Sequence, residues 1–65
     1  MEIQLNGSIV SISACNMDTL VHEQGLDPRS VVVEYNNKVI PQREWEKTIL
    51  CQGDVVELLS FVGGG

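Results

Sequence analysis

Basic residues, aromatics and metal-ligating side chains are all scarce in this chain, and each shortage excludes something. Four Lys and Arg stand against nine Asp and Glu in 65 residues, a net charge of −5. Such a surface repels phosphate backbones, so nucleic-acid binding is not expected. The single histidine, His22, and two isolated cysteines, Cys15 and Cys51, with no C-x-x-C spacing do not complete a zinc set, so no metal site is expected. Paired carboxylates, a Cys–His arrangement and a phosphate-cradling loop are also missing, which argues against an enzyme in its own right. No apolar run approaches the ~18 residues of a membrane span. The opening Met1-Glu2-Ile3-Gln4 has no basic segment followed by a long apolar stretch, so no secretory signal is visible and the expected address is the cytoplasm or an organelle matrix. In that reducing setting both cysteines read as structural or incidental, and a disulfide between them has no support.

What is present fits one small soluble domain. Apolar residues make up 43% and charged residues 20%, within the globular range. The length lies near the lower limit for a self-sufficient hydrophobic core, so stability should be marginal. Ile3 and Leu5 alternate with polar neighbours, Asn6-Gly7 is a strong two-residue turn signal, and Ser8 to Ser13 alternate again. The turn sets Leu5 opposite Ser8, Ile3 opposite Val10 and Met1 opposite Ile12. Met1, Ile3, Leu5, Val10 and Ile12 then share the core face, and Ile9 is left as a lone apolar group outside. Asn16 is a fair N-cap for a helix from Met17 to about Gln24, whose stripe of Met17, Leu20, Val21 and Gln24 ends at Gly25. His22 lies off that stripe and reads as a solvated surface residue.

Past a turn at Asp27-Pro28-Arg29, the β-branched run Val31 to Val33 predicts a strand buried on both faces, the expected centre of the sheet. Asn36-Asn37 should turn the chain into a short strand over Lys38 to Ile40, ended by Pro41, with a helical turn from Pro41 to Trp45. Trp45, the only tryptophan, is expected to anchor that segment in the core. Gly53-Asp54 marks a last turn. Period 2 then puts Val56 and Leu58 on the core face of the final strand and Val55, Glu57, Leu59 and Phe61 on the other. That second apolar face reads either as a docking face, made by Glu57, Leu59 and Phe61 with Ile9 nearby, or as Phe61 folding over the sheet edge. The element order implies an α+β fold in which one helix crosses a mixed sheet and the first and last strands can pair at its centre.

The run Val62-Gly63-Gly64-Gly65 carries little side chain, so it is expected to form a thin flexible tail (62–65) on a folded body (1–61). Fully extended, four residues span about 13–14 Å, enough to enter a buried site in another protein. Ordering them costs roughly 1–2 kcal/mol per residue, so a docking face must supply the binding energy.

Several features in order carry a family resemblance: the opening Met-x-Ile-x-Leu-Asn-Gly, a strand ending at Asn36, Val39-Ile40-Pro41 with a tryptophan four residues after the proline, Gly53-Asp54, and Val62-Gly63-Gly64-Gly65. Together they resemble the ThiS family of sulfur carriers, ubiquitin-like β-grasp proteins of four to five strands and one helix, across essentially the whole chain. The early stop at Gln24-Gly25 departs from the longer apolar stripe frequent in the family. The resemblance implies that a ThiF-type, E1-like adenylyltransferase uses Mg-ATP to adenylate the Gly65 carboxylate. A sulfur donor enzyme then makes it a thiocarboxylate, and a ThiG-type thiazole synthase accepts the sulfur. Val62, Gly63 and Gly64 would be read by these partners, and the carrier, a monomer when free, would bind no cofactor itself. Competing readings are a carrier for molybdopterin or another sulfur pathway, a modifier conjugated to lysines, and a non-covalent β-grasp binding module.

Overall fold

The computed structural model describes residues 1–61. The chain opens with β1 (Glu2–Leu5) and β2 (Ser8–Ser11), joined by Asn6 and Gly7 at φ of 49° and 85°. Two successive positive φ values match the twist of a tight hairpin. The register pairs Leu5 with Ser8 and Ile3 with Val10, as the turn predicts. Ile3 is fully buried, with Leu5, Val10 and Ile12 half-buried around it. Met1 departs from expectation: its backbone exchanges hydrogen bonds with Ile12, yet its side chain stays 44% exposed. The neighbouring strand begins pairing with β1 only at Gln4, so this corner lacks a covering strand.

Helix α1 (Met17–Glu23) starts where the Asn16 side chain accepts the Thr19 N–H at 2.8 Å. At its end Gly25, φ 71°, donates to the His22 carbonyl and Leu26 donates to the Val21 carbonyl. These paired bonds close a helix terminus with a left-handed residue. Met17, Leu20 and Val21 are fully buried, whereas Gln24 is exposed because it is already the C-cap. Seven residues do not make a stable isolated helix, so α1 depends on this packed face.

After a 3-10 turn at Pro28–Ser30 come β3 (Val31–Tyr35), β4 (Lys38–Val39), a second 3-10 segment at Gln42–Lys47 and β5 (Val55–Ser60). The five strands run in the order β2-β1-β5-β3-β4, with β1 and β5 parallel and all other neighbours antiparallel. First and last strands do pair, and β5 takes the centre expected of β3. The valine run is buried on one face only: Val33 is enclosed, while Val32 is 38% exposed. With α1 on one side and open sheet on the other, β-branching at Val32 suits the strand backbone without requiring burial.

Trp45 from the second 3-10 segment is 1% exposed and donates its indole N–H to the Ile40 carbonyl at 2.9 Å, closing the core beside α1. Ala14 and Leu50 join that core through a short bridge, in which Leu50 N–H donates to the Cys15 carbonyl. Cys15 and Cys51 are exposed free thiols. Among the described residues no helix is long and apolar enough to cross a membrane.

Candidate functional site

Strand β5 divides its side chains between two environments. Val56 and Leu58 point into the core, at 0% and 8% exposure, while Glu57, Leu59 and then Phe61 stand on the open face. Leu59 and Phe61 are 59% and 54% exposed, so Phe61 is not folded away over an edge. The Phe61 N–H still donates to the Ser30 carbonyl, at 2.6 Å, so the ladder with β3 holds the chain up to the last described residue. The expected tail, Val62 to Gly65, lies outside the described residues.

Cross-strand partners decide what surrounds Leu59. On β3, Val32 is opposite Leu59 and Glu34 is opposite Glu57; on β4, Val39 is opposite Glu34 and 66% exposed. An open groove of about 400 Å³ runs here, lined by Asn6, Val32, Glu34, Glu57, Leu58 and Leu59. Ile9, 76% exposed, lies elsewhere: it neighbours Gln4, which neighbours Val55, two strands across and four residues short of Leu59. At about 3.3 Å per residue and about 4.8 Å per strand, that is roughly 16 Å away. The structure therefore puts Glu57 and Leu59 directly beside Glu34 and Val32, with Val39 next to Glu34, while Phe61 lies two residues past Leu59 and Ile9 two strands across from Val55.

Two polar assemblies hold β5 in place, and both use residues that sequence patterns mark only as turns. The Asn6 side chain accepts the Leu58 N–H at 2.8 Å and donates to the Leu58 carbonyl at 3.4 Å, while Asn6 N–H donates to the Val56 carbonyl. Where β1 turns away, this amide continues its ladder along β5. At the other end Asp54 accepts from Tyr35 Oη at 2.7 Å, from Cys51 N–H at 2.7 Å and from Asn36 Nδ2 at 3.4 Å. Asn36, at φ 48°, accepts the Val55 N–H through its own side chain.

These contacts shift two titrations. Partial burial raises the Asp54 carboxyl, but the hydrogen bonds from Cys51, Tyr35 and Asn36 together outweigh it and leave the pKa lowered. The hydrogen bond to Asp54 is the main reason that the Tyr35 phenol is pushed up to about 12, with burial adding to it. A raised folded-state pKa stabilises the protein fully below the unfolded value, near 10, and that contribution disappears as pH rises through about 12. Tyr35→Phe should therefore cost about 1–2 kcal/mol at pH 7 and flatten the decline in unfolding free energy between about pH 10 and 12. Urea titrations of both proteins across that range check this, and parallel declines would show that Tyr35 does not cause the alkaline loss.

His22 has no catalytic surroundings: its Nδ1 lies 2.7 Å from the Asp18 carbonyl on the exposed side of α1. Among the described residues no group of three or more His, Cys, Asp or Glu is placed to hold a metal ion.

A helix laid across a mixed five-stranded sheet, with parallel first and last strands at its centre and an apolar open face beside the chain's exit, defines a ubiquitin-like β-grasp protein. More narrowly, the chain belongs to the ThiS family, whose model matches residues 3–65. It is 34% identical over 65 residues to the sulfur carrier protein ThiS of Bacillus subtilis, covering 97% of this chain and 98% of that protein. It is also 33% identical over 66 residues to the thiazole synthase of Paramagnetospirillum magneticum, covering all of this chain but only 20% of that protein. Among solved structures, the crystal structure of the thiamine biosynthesis protein ThiS from Geobacter metallireducens matches with a TM-score of 0.84 at 29% identity, covering 100% of both chains.

Proposed function

We infer that the chain is a sulfur carrier of thiamine biosynthesis and a co-substrate of other enzymes rather than a catalyst. The observation that carries this reading is similarity, over nearly the full length of both, to a free-standing sulfur carrier in Bacillus subtilis. The matched segment runs to Gly65, and β5 delivers the chain toward that glycine run from the edge of an apolar face.

In this reading Gly65 supplies the reacting carboxylate. An α-carboxyl has a reference pKa of about 3.3–3.7, so near neutral pH it is an anion and a poor electrophile. Attack of its oxygen on the α-phosphorus of Mg-ATP, held by an E1-like ThiF-type enzyme, releases pyrophosphate and leaves an acyl-adenylate. A sulfur nucleophile from a donor enzyme then attacks the carbonyl carbon and AMP departs. Where the nucleophile is the outer sulfur of a donor cysteine persulfide, the product is an acyl disulfide, and a second thiol attacks the donor's sulfur, releasing the thiocarboxylate and leaving a disulfide between donor and thiol. Gly63 and Gly64, lacking Cβ atoms, would suit a narrow channel in a partner, and Val62 would be read with them. A ThiG-type thiazole synthase is the proposed acceptor, supported by the thiazole synthase of Paramagnetospirillum magneticum, one fifth of which aligns with this whole chain.

Incubation with a ThiF-type enzyme, Mg-ATP and a sulfide source should raise the intact mass by the replacement of one oxygen by sulfur. Removal of Gly64 and Gly65 should abolish the change. If neither adenylate nor thiocarboxylate forms while the same enzyme activates another carrier, the chain serves a different pathway or binds without covalent chemistry.

A further inference from the structure

The open face carries an arrangement that folding alone does not favour. Asn36 N–H donates to the Val55 carbonyl and Phe61 N–H to the Ser30 carbonyl, which fixes the hydrogen-bonding phase of the β3–β5 ladder. Counting two residues at a time, Glu34 and Glu57 are a hydrogen-bonded pair, with Cα atoms about 5.5 Å apart. Both side chains point away from the core, since Val33 and Leu58, the adjacent cross-strand pair, are buried. Like charges directly opposite each other destabilise a sheet. Among the described residues neither carboxylate forms an ion pair; the ion pairs present involve Asp18, Asp27 and Glu44. Around the pair stand Val32, Val39 and Leu59, all exposed.

We propose that Glu34 and Glu57 together seat one arginine side chain of the activating enzyme, with Val32, Val39 and Leu59 forming the apolar rim around it. This rests on the sulfur-carrier reading. Charge complementarity selects the occupant. A second copy of this chain, docked face to face, would bring four carboxylates together between proteins of charge −5 each. A metal ion would need further oxygen ligands in place of the aliphatic rim. A guanidinium offers five donors in a plane and sheds water more readily than an ammonium, so it can bridge two carboxylates within an apolar ring. The same ring would exclude water from the contact and strengthen it.

Affinity for the ThiF-type adenylyltransferase should be measured for the wild type, Glu34→Gln, Glu57→Gln and the double variant at low and high salt, together with thermal unfolding. Each single change should weaken binding about tenfold, and the double variant should lose most of the salt dependence. Melting temperatures should hold or rise, because the cross-strand repulsion is relieved. Glu44→Gln/Glu46→Gln, the same change of net charge on the second 3-10 segment, should leave affinity within about twofold. Unchanged affinity of the double variant would overturn the arginine seat alone, and equal weakening by the Glu44/Glu46 control would reduce it to overall charge. A lowered melting temperature that accompanied the lost affinity would make the pair structural and also overturn it. A wild type that is neither bound nor adenylated by an enzyme active on another carrier would overturn the carrier reading and this inference together.

Discussion

Trp45→Ala is expected to cost about 3–5 kcal/mol and to leave much of the protein unfolded at 37 °C. A domain of this length has a total stability of roughly 3–10 kcal/mol, so one such loss removes a large share of it. Three contributions combine. The indole is 1% exposed and is the largest side chain in the core. The surrounding side chains on α1 and the sheet are themselves fully enclosed, so they have little room to collapse into the void. Truncation also removes the donor for the Ile40 carbonyl, just before Pro41, the N-cap of the 3-10 segment. Trp45→Phe helps to separate these contributions, since it keeps most of the apolar contact while losing the indole N–H and part of the ring volume; it should cost about 1–3 kcal/mol. Urea unfolding followed by circular dichroism reads both variants. A cost for Trp45→Ala no greater than for Trp45→Phe would mean that the core repacks around the vacancy and that the segment is not an anchor.

The elements easiest to read from sequence are those whose determinants are local. Asn6-Gly7 set the hairpin register, and Asn16 and Gly25 set the helix ends, because a turn or a cap depends on residues within a few positions. Trp45 and the inward set Val56 and Leu58 follow from size and period 2. The failures concern partners distant in the chain. Val31-Val32-Val33 suggested a doubly buried centre, but whether Val32 meets solvent depends on how many faces of the sheet are covered. Ile9 and Leu59 both read as outward apolar residues, yet only strand order shows that Ile9 stands on the edge strand and Leu59 on the central one. Glu57 is legible as part of the outward face of the last strand, but Glu34 is not, and their opposition depends on the β3–β5 register. The glycine run is legible for a different reason: the expectation attached to it concerns residues without side chains and is read from residue type alone, with no folded neighbour required.

Under the proposed carrier reading, the same distinction makes β5 the strand that matters for function. It is bonded on both sides, its inner face fills the core, and its outer face and far end are free for a partner. In the proposed carrier reading, enzymes that act in turn on one end of the chain would need a rigid surface beside it to recognise. Rigidity at the last strand lets docking energy fix where the terminus begins, because a frayed β5 would spend part of that energy on ordering itself.

Asn6 is therefore the turn residue whose loss should reach furthest. Asn6→Ala removes the acceptor for Leu58 N–H and the donor for its carbonyl, both partly buried, and puts a Cβ-bearing residue with no compensating side-chain bond at φ 49°. An unsatisfied amide costs about 1–3 kcal/mol and the left-handed backbone adds about 1–2, so a total of about 2–5 kcal/mol is expected. Asn6→Gly removes the same side chain but tolerates the backbone, and should recover about 1 kcal/mol of that loss. The two effects also differ in location. Hydrogen exchange at Leu58 N–H should accelerate in both variants beyond the change in global stability, since its partner is gone in each, while other β5 amides should follow global stability alone. If Leu58 stays as protected as its neighbours in both variants, water or a shifted β1 replaces the amide, and Asn6 acts only through its turn.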